Sequence, residues 1–261
     1  MDLQLKGKTA LILGGSKGLG RGVADALAAE GVAVALVARG QETLDRAVSE
    51  ITSRGAKAIG FAADLANWAS LEAAANGARK QFGPIDILLN NSGGPPPSGV
   101  AGVPAKVWEE QFNAMVLPLF RITDLLIGDM RARKWGRILN VASTSVVEPL
   151  AAIGVSNTLR SAIVGWAKTL ATETARDGIT VNTLLPGAIA TDRIAQLSRA
   201  AAERQKISVE EAIQRSAQTI PVGRIGTTAE FGAVAAFLAS PLAAYVTGSL
   251  IRVDGGSLRS V

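Results

Sequence analysis

The residues best placed to do chemistry begin where an apolar run, Thr9-Ala10-Leu11-Ile12-Leu13, meets Gly14-Gly15-Ser16-Lys17-Gly18-Leu19-Gly20. An apolar-periodic segment from Leu19 to Glu30 follows at once, so the order is strand, tight turn, helix. Glycines there permit positive φ and let a ligand approach the backbone, while a helix start offers unpaired N–H groups to an anion. The anion that suits such a turn is a dinucleotide pyrophosphate, with Gly14, Ser16, Lys17, Gly18, Leu19 and Gly20 as its candidate contacts. The spacing Gly14-x-x-x-Gly18-x-Gly20 is neither the general G-x-G-x-x-G fingerprint nor a phosphate loop ending in Gly-Lys-Ser/Thr. Close packing of a helix on a strand is the competing explanation of the same glycines.

A second group of residues bears on which dinucleotide. The next apolar run, Ala33 to Ala38, ends in Arg39, where dinucleotide sites often carry an acid for the ribose hydroxyls. Arg39 together with Lys17 suits a ribose phosphate, which favours NADP(H) and leaves NAD(H) as the alternative. Asp64-Leu65 follows a third run; Asp64 either faces an adenine or caps the helix after it. Asn90-Asn91-Ser92-Gly93 follows a fourth, with amides that can bridge strands or line a cleft. Ser143 follows a fifth, at the carboxyl end where open α/β sheets keep their chemistry.

The elements that must position these residues alternate along the chain. Strands are expected at 9–13, 33–38, 57–62, 85–89, 137–141, 179–185 and 250–253. Helices are expected at 19–30, 41–54, 68–82, 108–133 with Pro118 as a kink, 156–176 and 228–239. Pro95-Pro96-Pro97 makes a stiff loop that should border a substrate cleft. A helical stretch of about 191–220 reads as a lid or as a plain surface helix pair. Alternation of this kind makes a single α/β domain over 1–261, a doubly wound parallel sheet with helices on both faces.

Composition narrows the function. The chain has no cysteine and no histidine, which removes thiolate and imidazole chemistry and leaves only carboxylates for metal, in no suitable cluster. Its 27 Lys and Arg against 22 Asp and Glu give +5, spread without a basic block or interleaved aromatics, which speaks against nucleic acid as a partner. No apolar run is long enough to suggest a membrane span, and the first residues lack the blocks of an export signal, so a cytoplasmic location is expected.

The chain resembles the short-chain dehydrogenase/reductase family over nearly its whole length. The likeness rests on Gly14-x-x-x-Gly18-x-Gly20, Asp64, Asn90-Asn91-Ser92-Gly93, Ser143, Pro186-Gly187 with Thr191, and Val253-Asp254-Gly255-Gly256, in the family's order and approximate spacing. It implies a Rossmann-type sheet of seven strands, a homotetramer or dimer, and hydride transfer between a nicotinamide and an alcohol or carbonyl. It also implies cofactor contacts from Asn91, Ser92, Gly93, Pro186, Gly187, Ile189 and Thr191. Counted from Ser143 by the family's interval, the catalytic tyrosine position is Ser156 and the lysine position is Arg160, while the asparagine position is Met115. A serine hydroxyl is far less acidic than a phenol, and Arg160 grips anions or ribose but is a poor proton donor. The lone tyrosine, Tyr245, sits in a stretch that resembles an ordinary structural segment of the family.

Two functional readings follow. In one, the protein is an NADP(H)-dependent oxidoreductase with Ser143, Ser156 and Arg160 as an altered catalytic set, Arg160 also touching the cofactor. Its small-molecule substrate would be anionic if Arg193, Arg199 and Arg204 of the lid face the cleft. In the other, it is a nucleotide-binding sensor or scaffold without catalysis.

Overall fold

The computed structural model describes residues 1–260. Strands β1 (Thr9–Leu13), β2 (Ala33–Ala38), β3 (Ala58–Ala62), β4 (Ile87–Asn90), β5 (Gly136–Val141), β6 (Ile179–Pro186) and β7 (Leu250–Val253) form one parallel sheet in the order β3-β2-β1-β4-β5-β6-β7. Leu11 of β1 stands between Ala35 of β2 and Leu88 of β4. These strands read as nearly continuous apolar runs because both faces of the sheet are covered.

Alternate residues serve opposite cores. Leu11, Leu13, Val37, Leu88 and Ile138 pack under α3 (Trp68–Phe82), α5 (Leu117–Ala132) and α6 (Gly154–Thr174). Ala10, Ile12, Val34, Leu36 and Leu139 pack under α1 (Gly18–Ala29), α2 (Gln41–Thr52) and α9 (Thr228–Ala239). The strand period of two therefore builds a three-layer sandwich, which is the doubly wound α/β class expected from the sequence.

The segment expected as one helix over 108–133 is two, α4 (Ala105–Met115) and α5, broken at Val116. Pro118 lies in the first turn of α5, where its missing N–H would have had no partner in any case. It starts a helix there and does not kink one. The stretch from Thr191 to Gln218 is also a pair, α7 (Asp192–Gln205) and α8 (Val209–Gln218), divided at Lys206 with φ of 54°. No helix among the described residues is long and apolar enough to cross a membrane.

Glycine fixes how closely α1 and α9 approach. A Cβ built on Gly232 would lie 2.3 Å from the carbonyl oxygen of Gly22, and one on Gly22 would lie 2.3 Å from that of Thr228. Backbone thus meets backbone, and neither helix has room for a methyl group. Gly232→Ala gains about 1 kcal/mol of helix propensity but incurs overpacking of about 1–3 kcal/mol. The expected result is a melting temperature several degrees lower than that of the parent protein by calorimetry. A melting temperature equal to or above the parent's would show that the two helices separate at no cost.

Candidate active site

The carboxyl ends of β1, β2, β4, β5 and β6 open into a cleft of about 760 Å³. Its floor at one end is the glycine turn. Gly14 and Gly18 have φ of 65° and 59°, the left-handed region that favours glycine. A Cβ on Gly14 would come within 2.6 Å of Asn91 Nδ2, and Asn91 itself donates to the Leu13 carbonyl at 3.2 Å. Ser16, Lys17 and Leu19 line the cleft. Gly20 does not: it lies beneath the turn, where a Cβ would be 2.2 Å from the Gly14 carbonyl oxygen, so its role is to let helix and turn pack.

Arg39 lies at the mouth of the cleft, exposed and without an ion pair among the described residues. Lys17, its expected companion, is paired with Asp192 at 2.5 Å, with both side chains largely exposed. Hydrogen bonding to Lys17 and its nearby charge hold the Asp192 carboxyl below the usual carboxylate range. Asp64 and Leu65 also line the cleft. Asp64 does not cap α3; that position belongs to Asn67, whose side chain accepts from the Ser70 N–H, while Asp64 Oδ1 accepts from the Ala66 N–H at 3.0 Å.

The β4 end divides its labour between two neighbouring asparagines. Asn90 is fully buried and donates to Asn140 Oδ1 on β5 at 2.9 Å and to Thr123 Oγ1 at 3.1 Å, which locks the two strands together. Asn91, Ser92 and Gly93 face the cleft, and Ser92 Oγ is buried without a hydrogen-bond partner among the described residues. Of the proline loop, Gly94 lines the cleft, and Gly154 at the start of α6 donates to the Ser98 carbonyl at 2.7 Å. That bond ties the loop to the helix carrying the next group.

Ser143, Ser156 and Arg160 meet in the same cleft. Ser143 Oγ accepts from the Ser145 N–H at 3.1 Å and the Ser145 hydroxyl at 2.9 Å. Ser156 and Arg160 are four residues apart on α6 and so share a face, with Val155, Leu159 and Ile163 of the same helix in the core. Arg160 donates to the Val141 carbonyl at 3.0 Å and more loosely to those of Ser92 and Gly93, bracing α6 against the ends of β5 and β4. Burial, and then the charge of Arg193, bring the Arg160 guanidinium down to about 10, still charged at neutral pH. Met115 lines the cleft from the end of α4. Tyr245 is fully exposed and is not among the residues lining it.

Pro186, Gly187, Ile189 and Thr191 form the remaining wall, and Thr191 caps α7 by accepting from the Ile194 N–H. Arg193 reaches the cleft, but Arg199 and Arg204 are exposed and outside its lining, so two of the three lid arginines expected there are absent. Asp192, Ile153 and Gln111 line the cleft without having been singled out from the sequence.

The chain as a whole has relatives among known proteins. Residues 8–202 match the short chain dehydrogenase family model. A D-beta-hydroxybutyrate dehydrogenase from Cupriavidus necator is 34% identical over 97% of this chain and 98% of its own length. A 3-oxoacyl-acyl-carrier-protein reductase from Vibrio cholerae is 32% identical over 97% and 98%. The crystal structure of an L-sorbose reductase from Gluconobacter frateurii, complexed with NADPH and L-sorbose, superposes with a TM-score of 0.94 at 31% identity and covers 100% of both chains. The chain belongs to the short-chain dehydrogenase family of oxidoreductases.

Proposed function

We propose that the protein is an NADP(H)-dependent oxidoreductase that interconverts a carbonyl and an alcohol on a small molecule, using Ser143, Ser156 and Arg160 where the family uses a serine, a tyrosine and a lysine. The observation that carries this reading is the convergence of the glycine turn, Arg39 and those three side chains in one cleft at the carboxyl edge of the sheet. The residues fit a dinucleotide. Gly14 and Gly18 keep the turn clear of side chains, and among the described residues Arg39 has no competing carboxylate and Ser92 Oγ no hydrogen-bond partner.

Gly14, Ser16, Gly18, Leu19 and Thr191 would hold the pyrophosphate, with Gly20 supporting the turn from below. Arg39, joined by Lys17 once it leaves Asp192, would take the ribose phosphate. Asp64 and Leu65 would border the adenine. Asn91, Ser92, Gly93, Pro186, Gly187 and Ile189 would border the nicotinamide half. The reductases solved with NADPH support this choice of cofactor.

The cofactor, when bound, supplies or accepts the hydride. The Ser143 hydroxyl already accepts two hydrogen bonds, so its own proton is free to point at a carbonyl oxygen. Arg160 places positive charge beside the oxygen that becomes negative as reduction proceeds. The Ser156 hydroxyl forms no hydrogen bond within the described protein and faces the cleft, where it can orient the water that delivers the proton. Single-step loss of a positioned general acid costs about 10²–10⁴ in rate, so turnover slower than in a tyrosine-bearing relative is expected. Helices α7 and α8 act as the lid, tethered through Lys17–Asp192 and through Arg193 to the Pro95 carbonyl. Assembly into a homodimer or homotetramer in the cytoplasm completes the reading, and exposed Phe237, Leu242 and Leu250 supply apolar surface for it. The oxidoreductase relatives favour turnover over nucleotide binding alone.

Purified protein, NADPH or NADP⁺ and a panel of neutral ketones, oxo acids, alcohols and hydroxy acids, followed by absorbance of the reduced nicotinamide, test the activity. Nucleotide binding without turnover on any of them would remove the catalytic reading. For the cofactor, Arg39→Ala should weaken NADPH about tenfold or more and NADH by less than about twofold, because only the former carries the ribose phosphate. An equal loss for both would show that Arg39 does not read the phosphate. For the proton, the double variant Ser156→Tyr with Arg160→Lys should raise the rate on simple ketones by about tenfold or more. A folded double variant with no gain would mean that the cleft is built for other chemistry.

A further inference from the structure

Two guanidinium groups stand at the inner end of the cleft without a carboxylate partner among the described residues. Arg160 meets the carbonyls of Val141, Ser92 and Gly93, and Arg193 meets the Pro95 carbonyl at 3.0 Å and Gln196 Oε1 at 3.0 Å. Each has more N–H donors than these acceptors occupy. Between them is Gly94: a Cβ there would lie 3.4 Å from Arg193 Nη2 and 3.7 Å from Arg160 Nη2, so the two nitrogens are at most about 7 Å apart. The cleft's acidic side chains, Asp64 and Asp192, are committed elsewhere, Asp192 to Lys17 and Asp64 to the turn after β3.

We infer that Arg160 and Arg193 form a two-point grip for a carboxylate on the substrate, so that the protein acts on short oxo or hydroxy acids and not on neutral ketones. A carboxylate bridges such a gap with one oxygen on each guanidinium at about 2.7–2.9 Å. The groups that accept from the pair are neutral, four backbone carbonyls and the Gln196 amide oxygen, so they leave both positive charges uncompensated. Burial lowers the pKa of both arginines, and the charge of Arg193 lowers that of Arg160 further, a penalty that a bound anion relieves. Ser143 lies two residues beyond Val141, whose carbonyl fixes Arg160, so carboxylate and reacting carbonyl belong to the same short molecule. This inference rests on the carbonyl–alcohol reading of the cleft and names the substrate class for it.

The test is titration calorimetry on the whole protein saturated with NADP⁺, with malonate, its neutral counterpart malonamide, and inorganic phosphate as probes. Malonate should bind and malonamide should not. Arg193→Ala should weaken malonate about 10- to 100-fold while changing NADP⁺ affinity less than about twofold, and Arg193→Lys should recover part of the loss. Equal binding of malonate and malonamide would overturn the inference. So would unchanged malonate affinity in Arg193→Ala, phosphate binding tighter than malonate, or a loss of NADP⁺ affinity matching the loss of malonate. Malonate has no ketone to reduce, so the readout is independent of turnover. Reduction of neutral ketones without malonate binding removes only the carboxylate grip, and malonate binding without hydride transfer to any oxo acid removes only the oxidoreductase reading.

Discussion

Strand order governs everything at the cleft. From β1 the chain winds outward through β2 to β3, then returns to the other side of β1 and continues through β4 to β7. The loops leaving β1 and β4 therefore diverge, and a crevice opens between them at the carboxyl edge. Because every pairing is parallel, Gly14, Arg39, Asn91, Ser143 and Gly187 arrive at the same edge although they are far apart in sequence. Reversal of any one of these strands would carry its terminal residue to the opposite edge and dismantle the constellation.

Electrostatics divides the cleft into two ends with different character. Lys17 and Asp192 are both largely exposed, so their bond contributes about 0–1 kcal/mol, and a phosphate dianion competes with it readily. Arg160 is largely held away from water, and the half-buried Arg193 lies close enough for its charge to lower the Arg160 pKa. The outer cations are thus screened and exchangeable. The inner pair is fixed by carbonyls and less screened, which is why charge matters more there for what the cleft accepts.

Much of this was legible in the residues. The glycine turn, the β-branched strand runs and the period of four joining Ser156 to Arg160 are local signals, and local signals survive folding. The break at Val116 was not legible, because a proline in the first turn of a helix and a proline kinking one look alike without knowing where the previous helix stops. Nor was the tie between Lys17 and Asp192, which joins residues 175 apart. The lid arginines show where pattern runs out. Arg193 and Leu197 share the cleft-facing side of α7, whereas Arg199 falls about 120° round the helix from Arg193. Arg204 returns to the same side but about 16 Å farther along the axis, beyond the cleft. Periodicity gives the side of a helix; only the packed structure says where the cleft ends.

The proton follows from the same inventory. With no histidine or cysteine in the chain, Tyr245 in solvent and Arg160 charged throughout the neutral range, no side chain in the cleft is an acid of suitable strength near the inner arginines. Under the proposed reading, water takes that part, and Ser156 is placed to orient it. This ties the open cleft to the chemistry: a site that excluded solvent completely would strand the alkoxide. One that admits ordered water beside Arg160 needs only a fixed cation and a hydroxyl, and this helix supplies both.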